Sequence, residues 1–160
     1  MIRCIKSFMA LVVVCIMSGC ATTSSYVQPQ TNVPHATIQG GEVRESLFTW
    51  RVNSIITIDD KAVNNFFTNT PKLRIQPGKH NMVANVTFAR GFASQQYNAL
   101  VEFDANIKAR EVYKITSAIK GKSVQVWAED AHGRRAGTVG SANYSVLPQS
   151  QTVIVPVYSR

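Results

Sequence analysis

Three cysteines in 160 residues are too few for a disulfide-built scaffold. Acidic side chains are also scarce, 9 against 17 basic ones, for a formal charge of +8. No apolar run reaches the ~18–20 residues of a spanning helix, which excludes a polytopic helical membrane protein. The chain lacks a Gly-x-Ser-x-Gly elbow, a Gly-rich phosphate loop and a His-Glu-x-x-His pair. No catalytic residue is assigned and an enzyme is not expected. No internal repeat is visible, and no basic run is longer than two residues. What remains is 45% hydrophobic and 16% charged, enough apolar material for one packed domain.

The first twenty residues form a pattern. Arg3 and Lys6 make a basic head, Phe8 to Met17 an apolar centre, and Ser18-Gly19-Cys20 a small-residue end. This is the order of a secretory signal. The two small residues before Cys20 resemble the bacterial lipobox, with Met17 in the place usually held by Leu. The resemblance implies cleavage before Cys20 and a covalent diacylglyceryl and N-acyl lipid on it. No other cofactor and no metal are expected. Cutting there removes Cys4 and Cys15, so the mature chain keeps a single thiol, at its N-terminus. It also removes two of the 17 basic residues and none of the 9 acidic ones, leaving a net charge of +6. Stable anchoring takes more than one acyl chain, each buried CH₂ contributing about 0.8 kcal/mol. Ala21 follows the cysteine where inner-membrane lipoproteins carry Asp, so the expected location is the outer membrane, on its periplasmic face.

Residues 1–19 are therefore read as signal peptide, 20–34 as a lipidated N-terminus and flexible linker, and 35–160 as the folded domain. The linker is polar, carries Pro29 and Pro34, and shows no periodicity. Beyond it, short alternating runs read as strands. They are Thr49 to Ile58 (with Trp50, Val52, Ile56 and Ile58 sharing a parity), His80 to Phe88, Tyr97 to Phe103, Val112 to Ile119, Val124 to Ala128 and Thr152 to Tyr158. Gly40-Gly41, Asp59-Asp60, Pro77-Gly78, Gly121 and Gly133 punctuate them. Pro77-Gly78 fits a type II turn between the strands on either side of it. The expected fold is all-β, a single β-sandwich of immunoglobulin-like or transthyretin-like packing.

Ile56 to Lys61, Thr70-Pro71, Leu73 to His80 and the alternating strand to Phe88 resemble the PEGA-type β domains of small bacterial envelope lipoproteins. Leu100 to Phe103 and Val112 to Ile115 extend the likeness. Asp60 stands where that family usually has the turn glycine, and Asp tolerates the left-handed conformation such a turn needs. The resemblance implies a fold rather than an activity.

Among polar clusters, Glu129 to Arg135 is the densest. Arg134 and Arg135 are candidates for contact with an anionic surface. Asp130 and His132 lack the third and fourth ligand of a zinc site, and Asp59 and Asp60 with His80 would hold a metal only if their turns converge, two adjacent carboxylates ordinarily marking a solvated turn. His80 reads as a partly buried, satisfied side chain. The expected function is a non-catalytic lipoprotein presenting a protein-interaction module. Its partners would be the membrane, through the anchor, and another envelope protein. The diffuse positive charge on an exported chain does not argue for nucleic acid. The alternative is a periplasmic binding protein for a small ligand or anionic envelope glycan, using Arg134, Arg135 and aromatics such as Trp127.

Overall fold

The computed structural model describes residues 24–63, 72–91 and 95–148, and every regular element in them is a β-strand. In chain order these are β1 (Ala36–Gln39), β2 (Gly41–Arg44), β3 (Trp50–Ile58), β4 (Lys61–Ala62), β5 (Lys72–Ile75) and β6 (Gly78–Ala89). They continue with β7 (Gln96–Ile107), β8 (Val112–Lys120), β9 (Ser123–Asp130), β10 (Gly140–Asn143) and β11 (Ser145–Val146). One sheet runs β10-β9-β8-β1-β5, the other β11-β7-β6-β3-β2 with β4 paired to the far end of β3. The two pack face to face as a β-sandwich. Cys20 and the expected strand from Thr152 to Tyr158 lie outside the described residues.

Alternation builds the core. Met82, Ala84, Val86 and Phe88 on β6 are each at most 1% exposed, as their parity predicts. Ala99, Val101 and Phe103 on β7 join them, and Ile38, Ile75, Tyr113, Ile115, Val124 and Val126 face them from the other sheet. Strand β1 pairs antiparallel with β5 but parallel with β8, so the fold is not purely antiparallel.

On β3 the expected parity fails. A register shift between Ile55 and Thr57 marks a bulge, and a bulge exchanges the faces on its two sides. Before it, Asn53 and Ile55 are buried while Trp50 and Val52 are half-exposed; after it, Ile58 is buried. Asn53 is tolerated because it is satisfied. Ser117 Oγ donates to Asn53 Oδ1 (2.6 Å), and Asn53 Nδ2 donates to the Ile115 carbonyl (3.1 Å), joining the two sheets across the core.

The turns follow local chemistry. Asp59 and Asp60 adopt φ of 49° and 60°, the two left-handed residues of a type I′ hairpin between β3 and β4. Pro77-Gly78 does link the strands on either side of it, but not as a type II hairpin. Those strands, β5 and β6, belong to different sheets, and Gly78 has φ 137°. The pair is a corner between layers. Gly40-Gly41 is a second corner, where the chain steps from β1 to β2. A Cβ on Gly41 would lie 2.5 Å from the Ile115 carbonyl oxygen.

Both flanks of the sandwich are stitched. From Ser24 onward, the segment read as linker is held against the domain. Ala62 N donates to the Ser24 carbonyl (2.9 Å) and Tyr26 N to the Ala62 carbonyl (2.7 Å). Tyr26 Oη donates to the Arg74 carbonyl, Arg74 N to Gln28 Oε1, Arg74 Nε to the Pro29 carbonyl, and Pro29 is buried. Polar composition hid this because main-chain and side-chain hydrogen bonds, with only Tyr26 and Pro29 contributing apolar contact, hold the segment. On the opposite flank, Asn106 N donates to the Ala136 carbonyl and Thr138 N to the Asp104 carbonyl, while β10 pairs with β9 and β11 with β7.

Candidate functional site

The sandwich has two ends. One carries the Asp59-Asp60 turn, Gly78, the 108–111 turn and the 131–137 loop. The other carries Trp50, Arg51, Arg90, the 45–49 loop and the Lys120–Lys122 turn. The register fixes this division: Ile58 pairs with Met82 and Gly78 with Ile107, whereas Trp50 pairs with Ala89 and Lys120 with Ser123.

Arg134 and Arg135 lie at the Asp59 end, and both are exposed. Each has an internal partner. Asp130 accepts from the main-chain N–H of His132 (2.9 Å) and Arg134 (3.0 Å) at Oδ1, and from Arg134 Nε (2.8 Å) at Oδ2. The main-chain bond from Arg134 is the largest influence holding the Asp130 carboxyl below the usual range. The Arg135 guanidinium stacks 4.7 Å from the Trp127 ring centroid. Trp127 is only 8% exposed, and its indole donates to Glu129 Oε1 (2.6 Å). A cleft of about 280 Å³ opens beside both arginines, reaching Lys108, Glu111 and Tyr113. His132 belongs to the same exposed loop, and its recorded contact with Asp130 is through its main chain.

Two further pairs lie at this end. His80 Nδ1 lies 2.7 Å from Asp59 Oδ2 and Nε2 lies 2.8 Å from the Gln76 carbonyl, so both ring nitrogens face acceptors. Asp59 Oδ1 accepts from Asn81 N. Lys79 Nζ meets Asp104 Oδ2 at 3.0 Å, and hydrogen bonds from Lys79 and Asn81 lower the Asp104 carboxyl. Burial raises the Tyr113 phenol, which donates to Glu111 Oε2 (2.6 Å). Among the described residues, no three His, Cys, Asp or Glu side chains gather as a metal site.

The opposite end differs. A cleft of about 220 Å³ is lined by Val43, Glu45, Trp50, Arg51, Arg90 and Ile119, among others. Arg51 shares the inward face of β3 with Asn53 and Ile55, and its Nε is buried with no hydrogen-bond partner. Arg90 lies 5.6 Å and 5.9 Å from the Phe88 and Tyr144 ring centroids. These rings form a triad with Tyr97, centroids 5.1–5.3 Å apart, that caps the core. Neither Arg51 nor Arg90 forms an ion pair among the described residues. Beside them Leu47 is 82% and Phe48 42% exposed. Their loop is tied by Ser46 Oγ, which accepts from Phe48 N and Thr49 N.

Arg51 and Arg90 are not among the residues that the sequence singles out. The signal was present in Arg51, an arginine in the same alternation as Ile55. The unseen bulge assigned the inward face to Trp50 and Val52 instead. No protein-family model, curated protein or solved structure matches this chain.

Proposed function

We propose that this chain is a non-catalytic bacterial envelope lipoprotein. Its lipid is on Cys20 and its β-sandwich is an interaction module at the periplasmic face of the outer membrane. One observation carries the reading. Ser24, the first described residue, is already bonded to Ala62 at the Asp59 end. Only residues 21–23 separate it from Cys20, so the gap spans at most about 14 Å in any conformation. An acylated Cys20 would therefore set the Asp59 end against the bilayer, together with the exposed guanidinium groups of Arg134 and Arg135. Anionic headgroups are the surface such groups suit. The Arg51 end would face away, beyond a β6 strand of 12 residues, about 40 Å at ~3.3 Å per residue.

The test is the intact mass of the mature N-terminus from membrane fractions, for the wild type and Cys20→Ala. The reading expects an acylated Cys20 in the wild type, and a soluble, unprocessed or unacylated product in the variant. An unmodified wild-type chain in the soluble fraction would overturn it.

A further inference from the structure

We infer that the Arg51 end is the partner-binding site of this module, and that it takes an acidic side chain flanked by an apolar one, presented by a protein. The inference rests on the interaction-module reading and adds a location and a chemistry to it.

The first ground is an unmet donor. A buried N–H without an acceptor costs about 1–3 kcal/mol, and native proteins leave few of them. Arg51 Nε is such a group, and the residue that carries it lines a cleft rather than a sealed interior. The missing acceptor can therefore arrive from outside. The second ground is charge. Arg90 lines the same cleft, and Lys120 and Lys122 are exposed on the turn at that end. Glu45 also lines the cleft but pairs with neither arginine. Two arginines lining one cleft with no carboxylate paired to either offer planar, charge-assisted donors for one. At the opposite end, the equivalent cations Lys79 and Arg134 already hold Asp104 and Asp130.

Size and rim identify the carrier. A cleft of about 220 Å³ is smaller than the ~300–1,000 Å³ of a typical small-ligand site. It suits one side chain. The rim is apolar, with Leu47 and Phe48 exposed on a tied loop and a second depression of about 150 Å³ between that loop and Trp50, Ala89 and Gln96. Aromatic and arginine side chains around a small pocket, ringed by apolar contact, are the composition of a protein-binding hot spot.

The test uses the full chain in detergent and reads the Arg Nε–H and Trp indole signals by ¹H–¹⁵N NMR. The probe is an acetylated, amidated tripeptide of leucine, aspartate and phenylalanine, with its asparagine counterpart as control. The expected result is a shift of the Arg51 Nε–H and Trp50 signals that saturates with the acidic peptide. The asparagine peptide should bind about tenfold more weakly, the factor that ~1.4 kcal/mol of charge-assisted bonding implies. Arg90→Gln, at an exposed position, should weaken binding about tenfold and lower Tm only slightly, through the lost contacts with the Phe88 and Tyr144 rings. Arg51→Met should abolish binding without lowering Tm, because it removes an unmet buried donor. Equal binding of both peptides, no shift with either, or shifts only with inorganic phosphate or peptidoglycan fragments would overturn the inference. So would binding that emerges only after residues 149–160 are removed, which would make the chain's own C-terminus the occupant. The titration does not depend on the lipid. An unacylated Cys20 with intact peptide binding would sink the anchor and keep the site; the reverse result would keep the anchor and sink the site.

Discussion

At the Asp59 end, Asp130 accepts from two main-chain N–H groups and a guanidinium, Lys79 holds Asp104, and His80 bridges Asp59 and the Gln76 carbonyl. At the other end of the same β6 strand, Arg51 and Arg90 face a cleft with no carboxylate paired to either. The strands are shared, so fold alone does not explain the difference. At the first end Asp59, Asp104 and Asp130 each meet a histidine, lysine or arginine; at the second Glu42 and Arg44 pair, but the two arginines lining the cleft have no carboxylate partner among the described residues. Internal pairing stabilises a surface and makes it inert, whereas unmet donors cost stability and are compensated when something binds.

The comparison can be tested first by crowding. Gly137 and Gly91 both have positive φ, 129° and 74°. A Cβ on Gly137 would lie 2.1 Å from the Asp104 carbonyl oxygen, whereas one on Gly91 meets nothing within 4 Å. Gly137→Ala should therefore cost about 4 kcal/mol or more, and Gly91→Ala about 1–2 kcal/mol of backbone strain. Thermal melts of the two variants measure this. Equal losses would mean that the Asp59 end is no more tightly built than the other.

Next comes the inward row of β3. Asn53→Leu should cost about 2 kcal/mol, because the Ser117 hydroxyl and the Ile115 carbonyl lose their partner in a dry core. Arg51→Met, two residues along the same row, should cost nothing. Denaturant midpoints for the pair show whether a satisfied and an unsatisfied inward polar group differ as argued.

Acid provides a subtler probe. Hydrogen bonds lower the Asp104 and Asp130 carboxyls in the fold, so both contribute stability that is present above about pH 4 and is lost as pH falls through their folded values. Burial raises the Tyr26 and Tyr113 phenols, so their contribution is present below about pH 10 and is lost as pH rises through theirs. All four groups belong to the Asp59 half. Hydrogen exchange should therefore show the 102–106 and 128–138 amides opening first below pH 4, with Trp50, Ala89 and Tyr97 amides following only at global unfolding. Simultaneous opening would refute the division.

The smallest effect is expected at Asp60. Replacing it by Gly removes a side chain held at φ 60° and should raise stability by about 0.5 kcal/mol, measured by chemical denaturation.

The all-β fold was legible because strands β6 and β7 alternate cleanly, and a two-residue period has few other meanings. The position of the β3 bulge was not legible, since one extra residue leaves composition unchanged while exchanging every face beyond it. That one step moved Arg51 from solvent to the mouth of the core. The sheet assignment of β5 was equally hidden. Pro77-Gly78 reads the same whether it turns within a sheet or between two. Arg134 and Arg135 were legible as a basic pair. The carboxylate and the indole that engage them were near in sequence, at Asp130 and Trp127, but only the loop geometry brings them together.

The N-terminal segment also has a mechanical consequence. A pull applied to the chain before Ser24 reaches the two main-chain bonds to Ala62 first, then the single contacts of Tyr26, Gln28 and Pro29 with Arg74. The long ladders of β6 and β7 lie further in. Under tension the lash should peel away while the sandwich stays folded. Release back to β1 would free residues 24–35 and, under the anchor proposed at Cys20, lengthen the reach from about 14 Å to about 55 Å. The domain thus holds a reserve of length, stored on its own flank and released by load rather than by a ligand.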